Sequence, residues 1–264
     1  MEHDAFVAAI REQSERFLEA VALVPPDAEV PSCPGWSVTD LLWHLAEVQH
    51  HWAQVAGSGV AGDDVVPPDR SDDPAELRAL VATAGTELLR ALSGRDPATP
   101  CWSWHPEGGT LGWVARRQAH EALVHRVDAE LAAGLDVRPP SVELAEDGID
   151  EVLTVFVSGV PAWGAFAADG TTVRIECTNA PGAWLLRLGR FAGTGPDSGK
   201  EYDLDAADVV RLADGDRPDA DLVVAGHAWD VDRWIWGRGP AEVVVTGPAA
   251  LEARLRSLLV EATQ

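Results

Sequence analysis

The sequence has few basic residues and almost no lysine. Its 264 residues include 20 Lys and Arg against 43 Asp and Glu, which gives a formal net charge of −23, and Lys200 is the single lysine. A chain with this charge repels phosphate backbones and anionic lipid surfaces, so the composition argues against nucleic-acid and membrane partners. No apolar run reaches the roughly 20 residues of a membrane span. The acidic start, Met1 to Asp4, differs from the basic start of a secretory signal.

Cysteine is scarce and scattered. Cys33, Cys101 and Cys177 form neither a metal-ligand spacing nor a disulfide framework, which is typical of a protein in a reducing cytoplasm. The sequence also lacks a G-x-S-x-G nucleophile elbow, a P-loop and a dinucleotide-binding glycine fingerprint. We therefore expect a cytoplasmic protein outside those hydrolase and nucleotide-binding classes, while the sequence leaves its oligomeric state open.

The first half of the sequence has the periodicity of helices. Apolar residues recur at helical spacing in four segments, which predict helices over about 4–24, 37–56, 74–93 and 110–133. Ser37, with Asp40 three residues later, is a predicted N-cap, and Gly57 is the predicted end of that helix. Four helices of this length predict a helix bundle.

The second half mixes strand and helix patterns after the pair Pro139-Pro140. We therefore expect a helix bundle over residues 1–140 and a smaller α+β domain over residues 141–264. The predicted helices lie near 142–157, 227–237 and 249–262, and the predicted strands at 172–177, 183–188, 222–225 and 242–246.

The segment from His120 to Asp128 carries the clearest chemistry. Glu121 and His125 are four residues apart on a predicted helix, so their side chains project from one face and can chelate one divalent ion. His44 falls on the apolar stripe of an earlier helix, where a buried histidine needs a hydrogen bond or a ligand. These three residues are a candidate two-His, one-carboxylate set, which suits zinc and also resembles non-haem iron sites. The alternative is a solvated Glu–His pair.

Several neighbouring side chains are candidates to support such a site. Asp128 and Glu47 are each placed to accept the second N–H of a ligating histidine, and an ordinary surface ion pair is the alternative. Arg117 lies one turn before Glu121. His51 lies near the same face as His44.

Two runs of the sequence resemble signatures of the mycothiol-dependent maleylpyruvate isomerase family, which belongs to the wider DinB-like metal-binding bundles. Residues 33–46, CPGWSVTDLLWHLA, resemble its second-helix signature, and residues 116–128, RRQAHEALVHRVD, resemble its fourth-helix signature. The family pattern is a DinB-like four-helix bundle followed by a smaller α+β, sterol-carrier-like domain. That order agrees with the elements predicted along the whole chain.

The resemblance implies site residues and partners. It places the metal ligands on His44, Glu121 and His125, with zinc the usual metal of the family. It also implies mycothiol, the low-molecular-weight thiol of actinobacteria, as co-substrate. Residues 233–239 resemble a tract that carries a functional arginine, and the best match is Arg238, which would hold a substrate carboxylate. The alternative for Arg238 is a surface ion pair.

The function implied by the resemblance is that of a metal-dependent enzyme. It would activate mycothiol as a thiolate for addition to an electrophilic small molecule, either in a maleylpyruvate-type cis–trans isomerisation or in S-transfer. The negative charge of the chain disfavours a dianionic substrate and so favours S-transfer. A non-catalytic, metal-dependent carrier or regulator is the competing class. His51 and His120 are then supporting or surface residues, and Trp36, Trp234 and Trp236 are interpreted as packing residues.

Overall fold

The chain divides into two compact units. A computed structural model describes residues 1–105 and 108–263, and the two units are Met1–Arg138 and Pro139–Gln264. The first unit is helical and the second combines a sheet with helices, so the predicted α+β fold is confirmed. Within the described residues, we find no helix with the length and apolarity needed to cross a membrane.

Four long helices form the first unit. They are α1 (His3–Val21), α2 (Val38–Ser58), α3 (Pro74–Leu92) and α4 (Leu111–Ala132), with a short 3₁₀ turn at Gly62–Asp64. Both α1 and α2 pack against α3 and α4, so each helix has two neighbours. Apolar side chains such as Phe17, Leu45 and Leu77 fill the space between them. This packing brings α2 and α4, which carry the candidate ligands, side by side.

The sequence prediction for α2 is confirmed at the start of the helix and wrong at its end. Ser37 and Asp40 form the predicted cap: the Asp40 amide donates to Ser37 Oγ at 3.2 Å, and the Ser37 amide donates to Asp40 Oδ2 at 2.9 Å. The predicted end at Gly57 is wrong. The helix continues to Ser58 and stops at Gly59, whose φ of 69° is the left-handed conformation that favours glycine.

A five-stranded sheet organises the second unit. Its elements are α5 (Val142–Glu151), which continues as a π-helical segment (Val152–Val157), then β1 (Gly164–Cys177), β2 (Ala183–Thr194), β3 (Glu201–Arg211), β4 (Leu222–Gly226), α6 (Ala228–Trp236), β5 (Val243–Thr246) and α7 (Ala249–Ala262). The strand order is β3-β2-β1-β4-β5, and all pairs are antiparallel except β1 with β4. Residues of α5, α6 and α7 pack with alternate residues of β1, β2 and β4 in one apolar core.

The sequence prediction missed β3 and shortened β1 and β2. Strand β3 contains three aspartates, a residue type depleted in strands. Its pairing with β2 compensates for this. Arg190 Nε donates to Asp203 Oδ1 at 2.9 Å, and Arg187 pairs with Asp208 across the same two strands. Opposite charges facing one another stabilise a cross-strand pair that the pattern of a single strand does not reveal.

A buried carboxyl group lies between α5 and α6. The side chain of Asp232 is 2% exposed, and its Oδ1 has no hydrogen-bond partner among the described residues. A Cβ at Gly148 would lie 3.0 Å from Asp232 Oδ2, so a glycine on α5 leaves the room that this carboxyl group occupies. Burial, with the negative charges of Glu151 and Asp147, raises the pKa of Asp232 well above its usual value; Arg233 opposes the shift only partly.

We expect Asp232→Asn to flatten the pH dependence of stability. The folded chain keeps a proton on Asp232 that the unfolded chain releases, so wild-type stability falls as the pH rises from the usual carboxyl pKa of 3.8 toward the raised pKa. The loss is about 1.4 kcal/mol per pH unit over that window. Urea unfolding at pH 5 and pH 8 measures it. The free energy of unfolding of Asp232→Asn, relative to that of wild type, should be higher at pH 8 than at pH 5. Asp219→Asn, at an exposed position, should show no such trend.

We expect Ser37→Ala to destabilise the first unit by about 1 kcal/mol. The substitution removes the oxygen that accepts the Asp40 amide at the start of α2. Urea unfolding followed by far-ultraviolet circular dichroism measures the change, with the exposed Ser58→Ala as the matched control. Equal midpoints for the two variants would contradict a stabilising cap.

Candidate metal centre

Three potential ligands converge where α2 and α4 pack together. Glu121 and His125 lie one turn apart on α4, and His44 reaches them from α2. Glu121 Oε1 lies 3.0 Å from His44 Nε2 and 3.1 Å from His125 Nε2. One donor atom from each of the three residues lies within 4.8 Å of the others. The structure thus brings together the three residues that the sequence singled out.

The separations between these atoms suit a metal ion. Zinc binds histidine nitrogen and carboxylate oxygen at about 2.0–2.2 Å, so two ligands of a tetrahedral ion lie roughly 3.3 Å apart. The two His–Glu distances are close to that value. The His44 side chain is 31% exposed, which leaves an open side for water or a substrate atom. Two neutral imidazoles and one carboxylate are a donor set that proteins use for zinc and for non-haem iron.

Two further side chains hold Glu121 and His125 in place. Asp128, whose side chain is fully buried, accepts a hydrogen bond from His125 Nδ1 at 2.9 Å. This bond fixes the tautomer and directs Nε2 toward Glu121. Arg117 donates to Glu121 Oε2 at 2.7 Å and leaves Oε1 facing the two histidines. Of the two carboxylates considered from the sequence, Asp128 therefore contacts a histidine of the cluster. Glu47 acts instead on His51, where its charge opposes the lowering of the His51 pKa by burial.

The electrostatics of the cluster favour a cation between the side chains. Burial opposes charge on both α4 residues, but their neighbours more than compensate. Hydrogen bonds from His125 and His44, with the charge of Arg117, hold the pKa of Glu121 well below its usual range. Bonds to Asp128 and Glu121 raise the pKa of His125 to about 9. A metal ion bound here would take the place of the hydrogen bond that joins His125 Nε2 to Glu121 Oε1 at 3.1 Å.

An aromatic side chain covers the histidines, which the sequence interpretation did not foresee. The Trp36 ring lies 5.0 Å from the His44 ring and is stacked on the His125 ring at 6.2 Å. It is half-buried and also packs against the apolar core, so the packing interpretation describes part of its contacts. The sequence signal for this position is the Pro34-Gly35 turn just before it, in which the Trp36 amide donates to the Cys33 carbonyl at 3.0 Å.

The other candidate histidines lie apart from the cluster. His120 is buried, with its ring edge-to-face on Phe6 of α1. His51 contacts Trp52 of α2 and Trp102 in a separate aromatic group. Neither residue belongs to the set of three converging donors.

Arg238 belongs to the second unit, just after the end of α6. Its neighbours Gly237 and Gly239 have φ values of 67° and 74°, which is the backbone conformation that favours glycine. Its guanidinium donates to the Trp236 carbonyl at 2.7 Å and lies 5.6 Å from the centre of the Trp236 ring. The half-buried arginine is thus fixed by its own segment, and its predicted role toward a substrate stays a prediction.

Comparisons with known proteins find one matching domain model and two similar solved structures. Residues 7–130 match the model of the mycothiol maleylpyruvate isomerase N-terminal domain. No curated protein matches the chain in sequence. Two crystal structures of the mycothiol-dependent maleylpyruvate isomerase, one of them a histidine-to-alanine mutant, are similar to it. Their TM-scores are 0.57 and 0.58, at 14% identity, and 93% of each chain is covered in both comparisons.

The matched residues 7–130 contain the whole cluster of His44, Glu121 and His125, and the structural likeness extends over both units. The chain thus carries a segment that matches the mycothiol maleylpyruvate isomerase N-terminal domain, and it has the fold of the solved structures of the mycothiol-dependent maleylpyruvate isomerase.

Proposed function

We propose that this protein is a metal-dependent enzyme that activates mycothiol as a thiolate for addition to an electrophilic small molecule. The observation that carries the proposal is the convergence of His44, Glu121 and His125, with one donor atom from each within 4.8 Å. We assign these residues as ligands of a divalent ion, and we propose zinc.

The metal would supply positive charge that favours the thiolate form of a nearby thiol. The protein's own side chains would position the ion and shield it. His44 and His125 direct their Nε2 atoms, and Glu121 its Oε1 atom, toward one point. Asp128 and Arg117 hold the two α4 residues in that orientation. The Trp36 ring shields one side of the histidines and reduces access of water there.

The substrate class follows from the chemistry of the thiolate. The names of the matching domain and of the similar structures refer to mycothiol and maleylpyruvate, and we extend both to this chain as part of the proposal. Thiolate addition to a conjugated double bond leaves a single bond that can rotate. Elimination of the thiol then gives cis–trans isomerisation, whereas retention of the new C–S bond gives S-transfer. This chemistry requires a reduced thiol, and a cytoplasmic location suits it because thiols are kept reduced in the cytoplasm.

Arg238 is proposed to hold a carboxylate of the substrate. A guanidinium offers two parallel N–H groups to a carboxylate, and such charge-assisted bonds are stronger than neutral ones. What supports the assignment is the fixed position of the side chain between two glycines with positive φ.

We expect the purified protein to contain about one zinc per chain and Glu121→Gln to lose it. The substitution keeps the size of the side chain but removes the charge that compensates the cation. Elemental analysis beside Glu15→Gln, an exposed acid on α1, measures the effect. The control should keep its zinc. A wild type that binds no metal even after reconstitution, or a Glu121→Gln variant with full zinc content, would rule out the ligand assignment.

We expect Arg238→Ala to lower kcat/KM by about 10- to 100-fold while zinc content stays unchanged. That range corresponds to losing one charged hydrogen bond to the substrate. Mycothiol-dependent isomerisation of maleylpyruvate and mycothiol consumption with electrophilic acceptors are the assays. Arg187→Ala is the control, since Arg187 is an exposed arginine of the sheet. Unchanged turnover in Arg238→Ala would remove Arg238 from the mechanism. A zinc-loaded wild type without thiol-dependent turnover would favour a carrier or regulator.

A further inference from the structure

The loop before α2 lies against the metal centre, where Ser32 contacts Asp128 and the Trp36 ring contacts the histidines. Residues 29–37 fold back on themselves: Glu29 pairs with Ser37 as an isolated β-bridge, and the Val30 amide donates to the Trp36 carbonyl at 2.9 Å. Further turns inside the loop link Val30 with Cys33, and Cys33 with Trp36, through backbone hydrogen bonds at 3.0 Å. We call residues 29–37 the α2 entry loop. Its backbone is ordered by its own hydrogen bonds, so its side chains have fixed positions.

Ser32 of the α2 entry loop contacts the carboxylate that orients His125. Ser32 Oγ donates to Asp128 Oδ1 at 2.5 Å, whereas His125 Nδ1 donates to the other oxygen, Oδ2, at 2.9 Å. The Cys33 thiol also donates to Oδ2, at 3.4 Å. Ser32 therefore contacts one oxygen of the fully buried Asp128, while the other oxygen accepts from both His125 and Cys33.

We propose that Ser32 is a positioning residue for the metal centre, acting on His125 through Asp128. This inference rests on the proposed function, since it assumes that His125 Nε2 is a metal ligand. By holding Oδ1, the Ser32 hydroxyl fixes the rotation of the carboxylate about its Cβ–Cγ bond. Oδ2 then faces His125 Nδ1 and keeps the proton there, so that the Nε2 lone pair is available to the ion.

The location of Asp128 explains why this contact matters. Ser32 and Asp128 are separated by 96 residues, so the bond joins the entry loop to the middle of α4. A carboxylate that is shielded from solvent depends on the donors that the protein supplies, and Asp128 is fully buried. Removing the Ser32 hydroxyl takes this donor away from Oδ1 and weakens the constraint on the rotation of the carboxylate. Loss of comparable outer partners lowers metal affinity by about 10- to 100-fold in other proteins.

The test is the zinc affinity of Ser32→Ala, measured in the full chain by competition with a chromogenic chelator. We expect an affinity at least tenfold weaker than wild type, and Ser32→Thr, which keeps the hydroxyl, should restore most of it. Ser58→Ala, an exposed serine at the end of α2, is the matched control and should bind like wild type. The visible spectrum of the cobalt-substituted protein is a second readout, because it reports ligand geometry and should change in Ser32→Ala but not in Ser58→Ala.

The outcomes distinguish failure of the proposed role of Ser32 from failure of the proposed metal centre. Thermal unfolding in a chelator shows that each metal-free variant is folded before its affinity is interpreted; if Ser32→Ala is unfolded, the Ser32→Thr variant and its cobalt spectrum carry the test. If Ser32→Ala binds zinc as tightly as wild type and has the same cobalt spectrum, the role of Ser32 is overturned, while the assignment of the metal centre is unaffected. Absence of zinc binding in the wild type overturns both proposals together.

Discussion

The pairing of buried charges along α4 is the constraint on which the first unit depends. This helix is enclosed on most sides, yet many of its buried residues are polar: Arg117, Gln118, His120, His125, Arg126, Asp128 and Glu130. Buried charges are tolerated when they are paired and hydrogen-bonded. On α4 the pairs form between residues three or four positions apart, such as Arg126 with Glu130 at 2.5 Å. The candidate metal centre contains further pairs of this kind, Arg117 with Glu121 and His125 with Asp128.

The position of each site residue, on a helix or in a loop, determines whether the sequence could predict it. Helix geometry made Glu121 and His125 candidates, and the apolar stripe of α2 added His44, because positions on one helical face follow directly from spacing. The family resemblance then implied that these three candidates are metal ligands. Neither Ser32 nor Trp36 was assigned a place beside them. Both lie in the α2 entry loop and reach the site through side-chain contacts with α4, and a single sequence carries no period or spacing for such contacts.

The fold was predictable where a residue pattern has a local cause. The N-cap of α2 was predictable because capping chemistry involves neighbours in sequence. Strand β3 was not readable, since its aspartates are stabilised by arginines of β2 rather than by anything within the strand. The end of α2 was misplaced because Gly57 and Gly59 offer the same chemistry two residues apart, and the sequence does not say which one turns left-handed.

The aspartates of β3 have a consequence for how copies of this chain meet one another. Strand β3 stands at one end of the sheet, where unpaired backbone groups would otherwise invite a strand from a second molecule. The Asp203 side chain is 72% exposed on that strand, and a matching strand would bring its own negative charges alongside. At the other end β5 has only four residues, too short to guide a long ladder. Both sheet margins are thus poor templates for aggregation, and the acidic composition acts as a safeguard against edge-to-edge growth.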